Sequence, residues 1–423
     1  MLQIQKKLSN LFYVLLSLPA TAMGFALSIQ IAVLSWILST KYNLDIHEVG
    51  IVWAAGPIAG ILGQVIIGFI SDKVWFWGGR RRPFVLIGGT LAALMVIALP
   101  NIDKINNFLG IGNLMAVAII VAVTLDMAIN ISFNPTRSVI ADVTPEGTPR
   151  TKGYTWMQTI SGFFGVLAYV VGAIFGNYFL IYSGAVIVLL FSVIPIFFIK
   201  EYKNEKEKNA SSDIPIPAKT KANWNQLLKL YFAHSFTWLG VQTMFVFIFV
   251  YICQFQFNIT DMSLLNNAQK NEVGKIIAIA FAILNTVGFI LPAPILEPIT
   301  EKIGRVKTHM LCIAIMALGY WGIVLFGNSS VMLYILMVII GVGWAVVVSL
   351  PFAIMSELVD KSRMGLFMGI FNLSIVIPQL IVSLFLGNII QNADSKTIIF
   401  IISAVSLSIS AVLWLLVRER REN

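Results

Sequence analysis

Charged residues are scarce in this chain. Only 12% of its 423 residues are Asp, Glu, Lys or Arg, against about 25% in soluble domains. Hydrophobic residues make up 58%, and the mean hydropathy is +0.86. These values exclude a soluble enzyme and leave no stretch suited to a soluble catalytic domain. The chain is therefore predicted to be an integral membrane protein.

Cysteine and histidine are also rare, with two and three residues respectively. Cys253 and Cys312 lie in apolar runs without metal-ligand spacing, which predicts buried hydrophobes. No P-loop, HExxH, CxxC or nucleophile-elbow motif is present. The sequence thus predicts neither an enzyme nor a metal or organic cofactor. The net charge of +9 comes from bases in short loops, which indicates membrane topology instead of nucleic-acid binding.

Long apolar runs predict twelve membrane-spanning helices. The predicted spans are 11–38, 48–71, 83–100, 112–141, 153–176, 178–199, 226–255, 273–296, 308–327, 330–357, 364–389 and 396–417. The first run imitates a signal peptide, but its apolarity continues to Ile37, which favours an uncleaved helix. A polar, Lys-rich stretch after the sixth span predicts bundles at 1–200 and 226–423, joined by a linker at 201–225.

Lys and Arg are about four times more frequent in the termini and even-to-odd loops than in the opposite loops. This asymmetry predicts that both termini are cytoplasmic and that the protein lies in the inner or plasma membrane.

The two halves resemble each other after their second helices. Asp72 and Glu301 hold equivalent places, as do Arg80 and Arg305 in their Gly-Arg steps. Two six-helix halves related by an axis along the membrane normal define the major facilitator architecture, in which substrate binds near the midplane. The predicted fold is an all-α membrane protein of two pseudo-symmetric six-helix bundles.

The fourth predicted span carries Asp126 near its middle. A carboxylate at that depth costs at least ~2.5 kcal/mol, so it is a candidate functional group. Asn130 and Arg137 follow on the same helical face. Because burial disfavours the charged form and no base lies at matched depth, Asp126 is predicted to exchange a proton. A sodium ligand is the alternative.

The second half offers aromatic and amide side chains. His234, Trp238 and Gln242 recur at intervals of four residues, and Trp344 lies near the position matched by Asp126. Aromatic faces pack against sugar rings, while amides bind hydroxyls. Ordinary amide contacts between helices are the alternative. The predicted substrate-binding residues are Asn130, Gln30, Gln64, Trp238, Gln242, Trp344, Asn372 and Gln379.

Charged residues near the cytoplasmic ends of the helices predict an ion-pair latch that opens as the halves move. For Arg137, contact with substrate is the alternative. The predicted gating residues are Asp72, Arg80, Arg81, Arg137, Asp142, Glu301, Arg305 and Glu357.

Several motifs carry a family resemblance. They are GRRRPF (79–84), NPTRSVIADVTPEGTPRTKG (134–153), GLFMGIFNLSIVIPQLIVSL (365–384) and WAAGPIAG (53–60). Together they resemble the plant sucrose/proton symporters and their relatives among the glycoside–pentoside–hexuronide:cation symporters. The resemblance implies a disaccharide carried with a proton, with Asp126 in the place of the carboxylate that the family protonates. The acidic pair of the plant seventh helix is missing from VFIFVYICQFQF (246–257), so the sugar itself stays open.

The sequence thus predicts proton-coupled import of a small glycoside, of sucrose or maltose type, by alternating access. Its expected partners are the sugar and the lipid bilayer, with no nucleic acid, and a monomer is expected. The alternatives are an exporter of amphipathic organic cations, a sodium-coupled sugar symporter, a non-transporting membrane sensor and a membrane enzyme.

Overall fold

A computed structural model of the chain describes residues 7–60, 70, 74–144, 148–201, 223–261, 264–327, 329–359 and 364–418. These residues are almost entirely helical, and the β feature among them is an isolated bridge between Phe76 and Gly79. The helices are α1 (Asn10–Thr40), α2 (Ile46–Trp53), α3 (Arg82–Ala98), α4 (Ile102–Leu109), α5 (Leu114–Val143), α6 (Thr148–Phe175), α7 (Asn177–Phe198), α8 (Trp224–Phe257), α9 (Asn267–Ile290), α10 (Glu297–Ile303), α11 (Arg305–Phe326), α12 (Ser330–Val347), α13 (Leu350–Leu358), α14 (Met364–Ile381), α15 (Gly387–Asn392) and α16 (Ile398–Trp414).

Ten helical segments among the described residues are long and apolar enough to cross a membrane. They are Asn10–Thr40, Arg82–Leu109, Leu114–Ile140, Lys152–Phe175, Asn177–Phe198, Trp224–Phe257, Asn267–Ile290, Arg305–Phe326, Ser330–Val347 and Ile370–Asn392. The predicted twelfth span appears as the shorter apolar helix α16. The predicted second span begins with α2, but most of its later part, 61–69, lies outside the described residues.

The prediction that the tenth span, 330–357, forms one continuous helix was wrong. The structure divides it into α12 and α13, with Ser349 between them. Pro351 lies in the first turn of α13, where its missing N–H costs no helical hydrogen bond. The predicted eleventh span is also interrupted. Its irregularity is a π-helical turn at Val382–Leu386, one turn beyond Pro378, which lies within α14.

The chain forms two compact units. The first comprises Met1–Leu34 and Ile58–Ile216. Within it, α3 packs against α5 and α7 through glycines, since a Cβ on Gly88 would lie 2.6 Å from the Ala128 carbonyl oxygen and one on Gly89 would overlap Ser192. A buried apolar cluster consists of Phe12, Leu16, Ala20, Val139, Ile140, Met157 and Ile199. This cluster joins α1, α5 and α6.

The second unit comprises Ser35–Pro57 and Pro217–Asn423. Its central contact lies between α8 and α16, where small polar residues allow a close approach. Ser403 donates a hydrogen bond to the Gly240 carbonyl at 2.8 Å, and the hydroxyls of Thr237 and Ser410 lie 2.7 Å apart. Both cysteines, predicted to be buried, are buried in this unit and free.

Within the second unit, hydrogen bonds join the first residues of the segment Ser35–Pro57 to α8 and α9. The Ser35 hydroxyl donates to the Val246 carbonyl at 2.8 Å. The indole N–H of Trp36 donates to the Lys270 carbonyl at 2.6 Å. The last residues of α1 are thus held by backbone acceptors of the second unit, whereas the residues up to Leu34 belong to the first.

Lys396 caps the C-terminus of α15 and lies between two apolar segments. Its ammonium donates to the carbonyls of Ile390, Gln391 and Ala393 at 2.9, 3.0 and 2.6 Å, which satisfies the free carbonyls of a helix C-terminus. Burial lowers the pKa of Lys396, while the nearby Asp394 carboxylate acts in the opposite direction.

Candidate functional site

Asp126 lies inside the first unit, on α5. Its side chain is buried at 6% exposure, and Gln30 of α1 donates an amide N–H to its Oδ2 at 2.9 Å. Among the described residues, no Lys or Arg forms an ion pair with this carboxyl.

Gln30 offers this carboxyl more than one hydrogen bond. Its carbonyl oxygen Oε1 is buried and has no hydrogen-bond partner among the described residues. An amide combines a donor and an acceptor, so it can bond an ionised carboxylate through Nε2 or a protonated one through Oε1. The pair of Gln30 and Asp126 can therefore remain hydrogen-bonded in both protonation states.

The polar face of α5 continues below Asp126. Asn130 is half-buried and donates to the backbone carbonyl of Asp126 at 2.8 Å. Arg137 is exposed, and its guanidinium lies 4.2 Å from the centre of the Phe133 ring, a cation–π contact. Arg137 forms no ion pair with a carboxylate that the structure describes.

An aromatic platform lies in the second unit and consists of Trp238, Trp344 and Phe245. The Trp344 ring meets Trp238 edge-on at 6.2 Å and Phe245 edge-on at 5.3 Å. Both are preferred aromatic geometries. Asn285 of α9, which the sequence did not single out, accepts the indole N–H of Trp344 at 3.2 Å. This bond fixes the rotation of the indole within the platform.

Two of the predicted amides also meet in the second unit. Gln379 of α14 donates to the side-chain oxygen of Gln242 at 3.2 Å, so α8 and α14 are joined at this point. Gln242 is buried and Gln379 is half-buried. Asn372 is half-buried and makes no side-chain hydrogen bond to another described residue. Gln64 lies outside the described residues.

Metal ligands do not come together in the part of the chain that the structure describes. No group of three or more His, Cys, Asp or Glu side chains there is arranged to hold a metal ion.

The predicted gating residues meet in part. The Arg80 guanidinium lies 3.0 Å from the Asp142 carboxylate, and Arg81 approaches the same oxygen at 3.5 Å. Glu301 is exposed on α10, and Arg305 is half-buried at the start of α11. Asp72 and the side chain of Glu357 lie outside the described residues.

Glu201 completes this cluster, although the sequence placed it in the linker. Its carboxylate accepts the backbone N–H groups of Arg80, Arg81 and Arg82 at 2.7, 2.8 and 2.7 Å. Successive N–H groups that converge in this way form an anion-binding nest, here at the N-terminus of α3. Glu201 is 6% exposed, so these charge-assisted bonds are shielded from solvent.

The tight turn that precedes this nest contains two glycines, Gly78 and Gly79, each with a structural reason. Phe76 and Gly79 exchange two backbone hydrogen bonds of 3.1 Å, and the residues between them, Trp77 and Gly78, both have positive φ angles. This geometry belongs to a tight two-residue turn, which a glycine relieves. A Cβ on Gly79 would lie 2.8 Å from the Glu201 carboxylate oxygen, so glycine is required for the carboxylate to approach.

Replacement of Glu201 with alanine is expected to destabilise the first unit. One buried and two part-buried backbone N–H groups would lose their acceptor, which corresponds to at least about 2 kcal/mol. The thermal unfolding midpoint of the purified protein is the measurement. Glu201→Gln keeps a neutral acceptor and is expected to fall between the alanine variant and the unaltered protein. Equal midpoints for all three proteins would contradict the anchoring role.

Comparison with protein families decides which group of membrane proteins this is. The family model described as Major Facilitator Superfamily matches residues 16–383 and, in a second match, 264–423. The chain belongs to the Major Facilitator Superfamily. The predicted fold class and family resemblance are therefore confirmed, and the chain is a multi-pass protein of a transporter family, not of an enzyme family.

Curated relatives match parts of the chain. The sucrose transport protein SUC4 of Arabidopsis thaliana is 28% identical over 176 residues, which cover 39% of this chain and 34% of the relative. The general alpha-glucoside permease of Schizosaccharomyces pombe is 34% identical over 128 residues, or 29% of this chain and 23% of the relative. The chain therefore matches about a third or less of the length of these relatives.

Solved structures match nearly the whole chain. A D-xylose-proton symporter aligns with a TM-score of 0.71 at 14% identity, covering 97% of this chain and 99% of that protein. The nucleoside transporter NupG aligns with a TM-score of 0.71 at 12% identity, covering 96% of this chain and all of that protein. These likenesses identify the fold.

Proposed function

We propose that this chain imports a small glycoside, with a disaccharide of sucrose or maltose type as the first candidate, and that a proton moves with it. One observation carries the proposal. Asp126 is buried in a membrane-spanning helix and is bonded, among the described residues, to a neutral amide instead of a cation.

A proton is the coupling ion in this proposal because Asp126 has no charge partner in the part of the chain that the structure describes. A bare carboxylate is costly to carry through a membrane-spanning unit, whereas the protonated acid is neutral. Gln30 can bond either form. If a sugar hydroxyl binds one form better, then sugar and proton occupancy are linked, and each ligand favours binding of the other.

The proposed sugar site includes the aromatic platform with Gln242 and Gln379. The indole N–H of Trp344 is bound by Asn285, so the ring faces are what this side chain offers to a ligand. Such faces suit the C–H surface of a sugar ring, and the two amides suit its hydroxyls. The names of the sucrose and alpha-glucoside relatives support a glycoside as the substrate.

The test uses purified full-length protein in liposomes. An inward pH gradient of about two units supplies about 2.7 kcal/mol per proton, enough for about 100-fold accumulation of a co-transported sugar. Labelled sucrose, maltose, glucose and xylose are offered with that gradient, with a sodium gradient, and with the pH gradient collapsed by a protonophore. We expect accumulation of a disaccharide that requires the pH gradient and disappears with the protonophore.

Other results would reject the proposal in distinct ways. Accumulation driven only by the sodium gradient would replace the proton with sodium. Accumulation of glucose or xylose alone would replace the disaccharide with a monosaccharide. No uptake of any sugar, with proton-driven release of an organic cation, would replace the importer with an exporter.

A further inference from the structure

His234 has a hydrogen-bonding geometry that determines its protonation. It lies on α8, one turn before Trp238, and the Trp238 indole N–H donates to its Nε2 at 3.0 Å. An indole nitrogen is only a donor, so Nε2 must carry a lone pair. The imidazole is therefore neutral, with its hydrogen on Nδ1. A ring protonated on both nitrogens would turn an N–H toward the indole N–H and lose the bond.

The imidazole is itself held in place. Its ring stacks on Phe371 of α14 at 5.0 Å with an interplanar angle of 14°, and the residue is 1% exposed. The Trp238 ring stands perpendicular to it at 88°. His234 thus has one face against α14 and one nitrogen against the indole. Both contacts limit the orientations that Trp238 can adopt.

Trp238 connects this histidine to the aromatic platform, where its ring meets Trp344. The two indoles are each bound through N–H, Trp238 by His234 and Trp344 by Asn285. Both acceptors come from helices of the same unit, α8 and α9. With both indoles held in this way, the ring faces of the platform have a fixed arrangement.

Stability alone does not account for a histidine at this position. His234 Nδ1 is buried and lacks a hydrogen-bond partner among the described residues, as do Tyr231 Oη and Trp414 Nε1 nearby in the unit. The His234→Leu change would remove this unsatisfied donor but would leave the part-buried Trp238 indole N–H without its acceptor, so the two effects on stability have opposite signs and partly cancel. The His234→Leu variant is therefore expected to fold.

We infer that His234 is a positioning residue for sugar binding, in which a neutral imidazole accepts the Trp238 indole N–H and so orients the platform. This inference rests on the proposed function, because the platform is the proposed sugar site. It differs from that proposal in naming a residue that acts through Trp238 instead of touching the sugar.

The experiment compares five variants in proteoliposome uptake: His234→Leu, His234→Gln, His309→Leu, Trp238→Phe and the pair His234→Leu with Trp238→Phe. We expect His234→Leu to raise KM about fivefold to tenfold, the value of one hydrogen bond, with little change in Vmax. His234→Gln places an amide oxygen near the position of Nε2 and is expected to restore KM. In a Trp238→Phe background, which has no N–H to orient, His234→Leu is expected to add nothing.

His309→Leu is the matched control. His309 is also fully buried in the second unit and is close enough to His234 to interact with it electrostatically, but its ring packs at 4.2 Å against Trp414, which is not part of the platform. Its loss is expected to leave KM unchanged. Equal KM changes in His234→Leu and His309→Leu, or a His234→Gln variant as impaired as His234→Leu, would overturn the positioning role. The unaltered protein separates the two proposals: its failure to take up sugar rejects the proposed function, whereas normal uptake with an unchanged KM in His234→Leu rejects only the role of His234.

Discussion

Replacement of Asp126 with asparagine is expected to abolish accumulation of sugar against its gradient while preserving exchange of sugar across the membrane. Asparagine has nearly the same shape, and its side-chain oxygen can still accept the N–H of Gln30 that lies 2.9 Å from Asp126. What it loses is the capacity to take up and release a proton. Binding geometry and proton coupling are thus separated in one variant.

The expected size of this effect follows from thermodynamics. With a two-unit pH gradient, the accumulation ratio is expected to fall from as much as about 100 to about one, because no proton then drives the sugar. The measurement is the steady-state ratio of sugar inside and outside the liposomes, together with counterflow of labelled sugar as the assay of exchange.

Asp142→Asn is the matched control for that variant. Asp142 is a carboxylate of the same helix, but it lies in contact with Arg80 and Arg81. Loss of a partly exposed ion pair costs little folding free energy, so the Asp142→Asn protein is expected to fold. Because Asp142 is a predicted gating residue, the variant is expected to alter the rate of uptake and not the accumulation ratio. An unchanged ratio in Asp126→Asn would reject the proton role, and a loss in both variants would show that the assay reports rate alone.

The sequence predicted Asp126 for a physical reason. Carboxylates are too costly in a membrane for one to persist there by chance, so a single residue carries a strong signal. Its partner was less predictable. Gln30 was expected to bind substrate, and the structure places it on Asp126 from a helix 96 residues away in sequence. The polar face of one helix does not reveal which other helix it meets.

Glu201 and Asn285 show where sequence patterns fail. Glu201 stands in a run of charges that resembles a solvated linker, and it binds backbone N–H groups about 120 residues earlier, which leave no side-chain signature. Asn285 is an ordinary amide in an apolar helix. The glycines before the nest were the sequence feature that pointed to it. Gly78 has a positive φ angle, and Gly79 leaves no room for a Cβ beside Glu201.

Loss of the Trp344 side chain is expected to weaken sugar binding strongly while leaving transport turnover measurable. The indole joins three neighbours of the platform, Trp238, Phe245 and Asn285. Gly288 adjoins it so closely that a Cβ there would lie 2.8 Å from the indole, so α9 is shaped to receive this ring. Aromatic anchors of this kind are worth at least about 2 kcal/mol when truncated.

We therefore expect Trp344→Ala to raise the Kd or KM for the transported sugar about 30-fold or more. Trp344→Phe keeps a ring face but loses the bond to Asn285, so its effect is expected to be smaller. Trp321→Ala is the matched control, because Trp321 is a half-buried indole of the same unit whose N–H meets Ser408 of α16 instead of the platform. An unchanged affinity in Trp344→Ala would remove this residue from the sugar site. An equal loss in Trp321→Ala would instead indicate a general loss of packing, because Trp321 lies outside the platform.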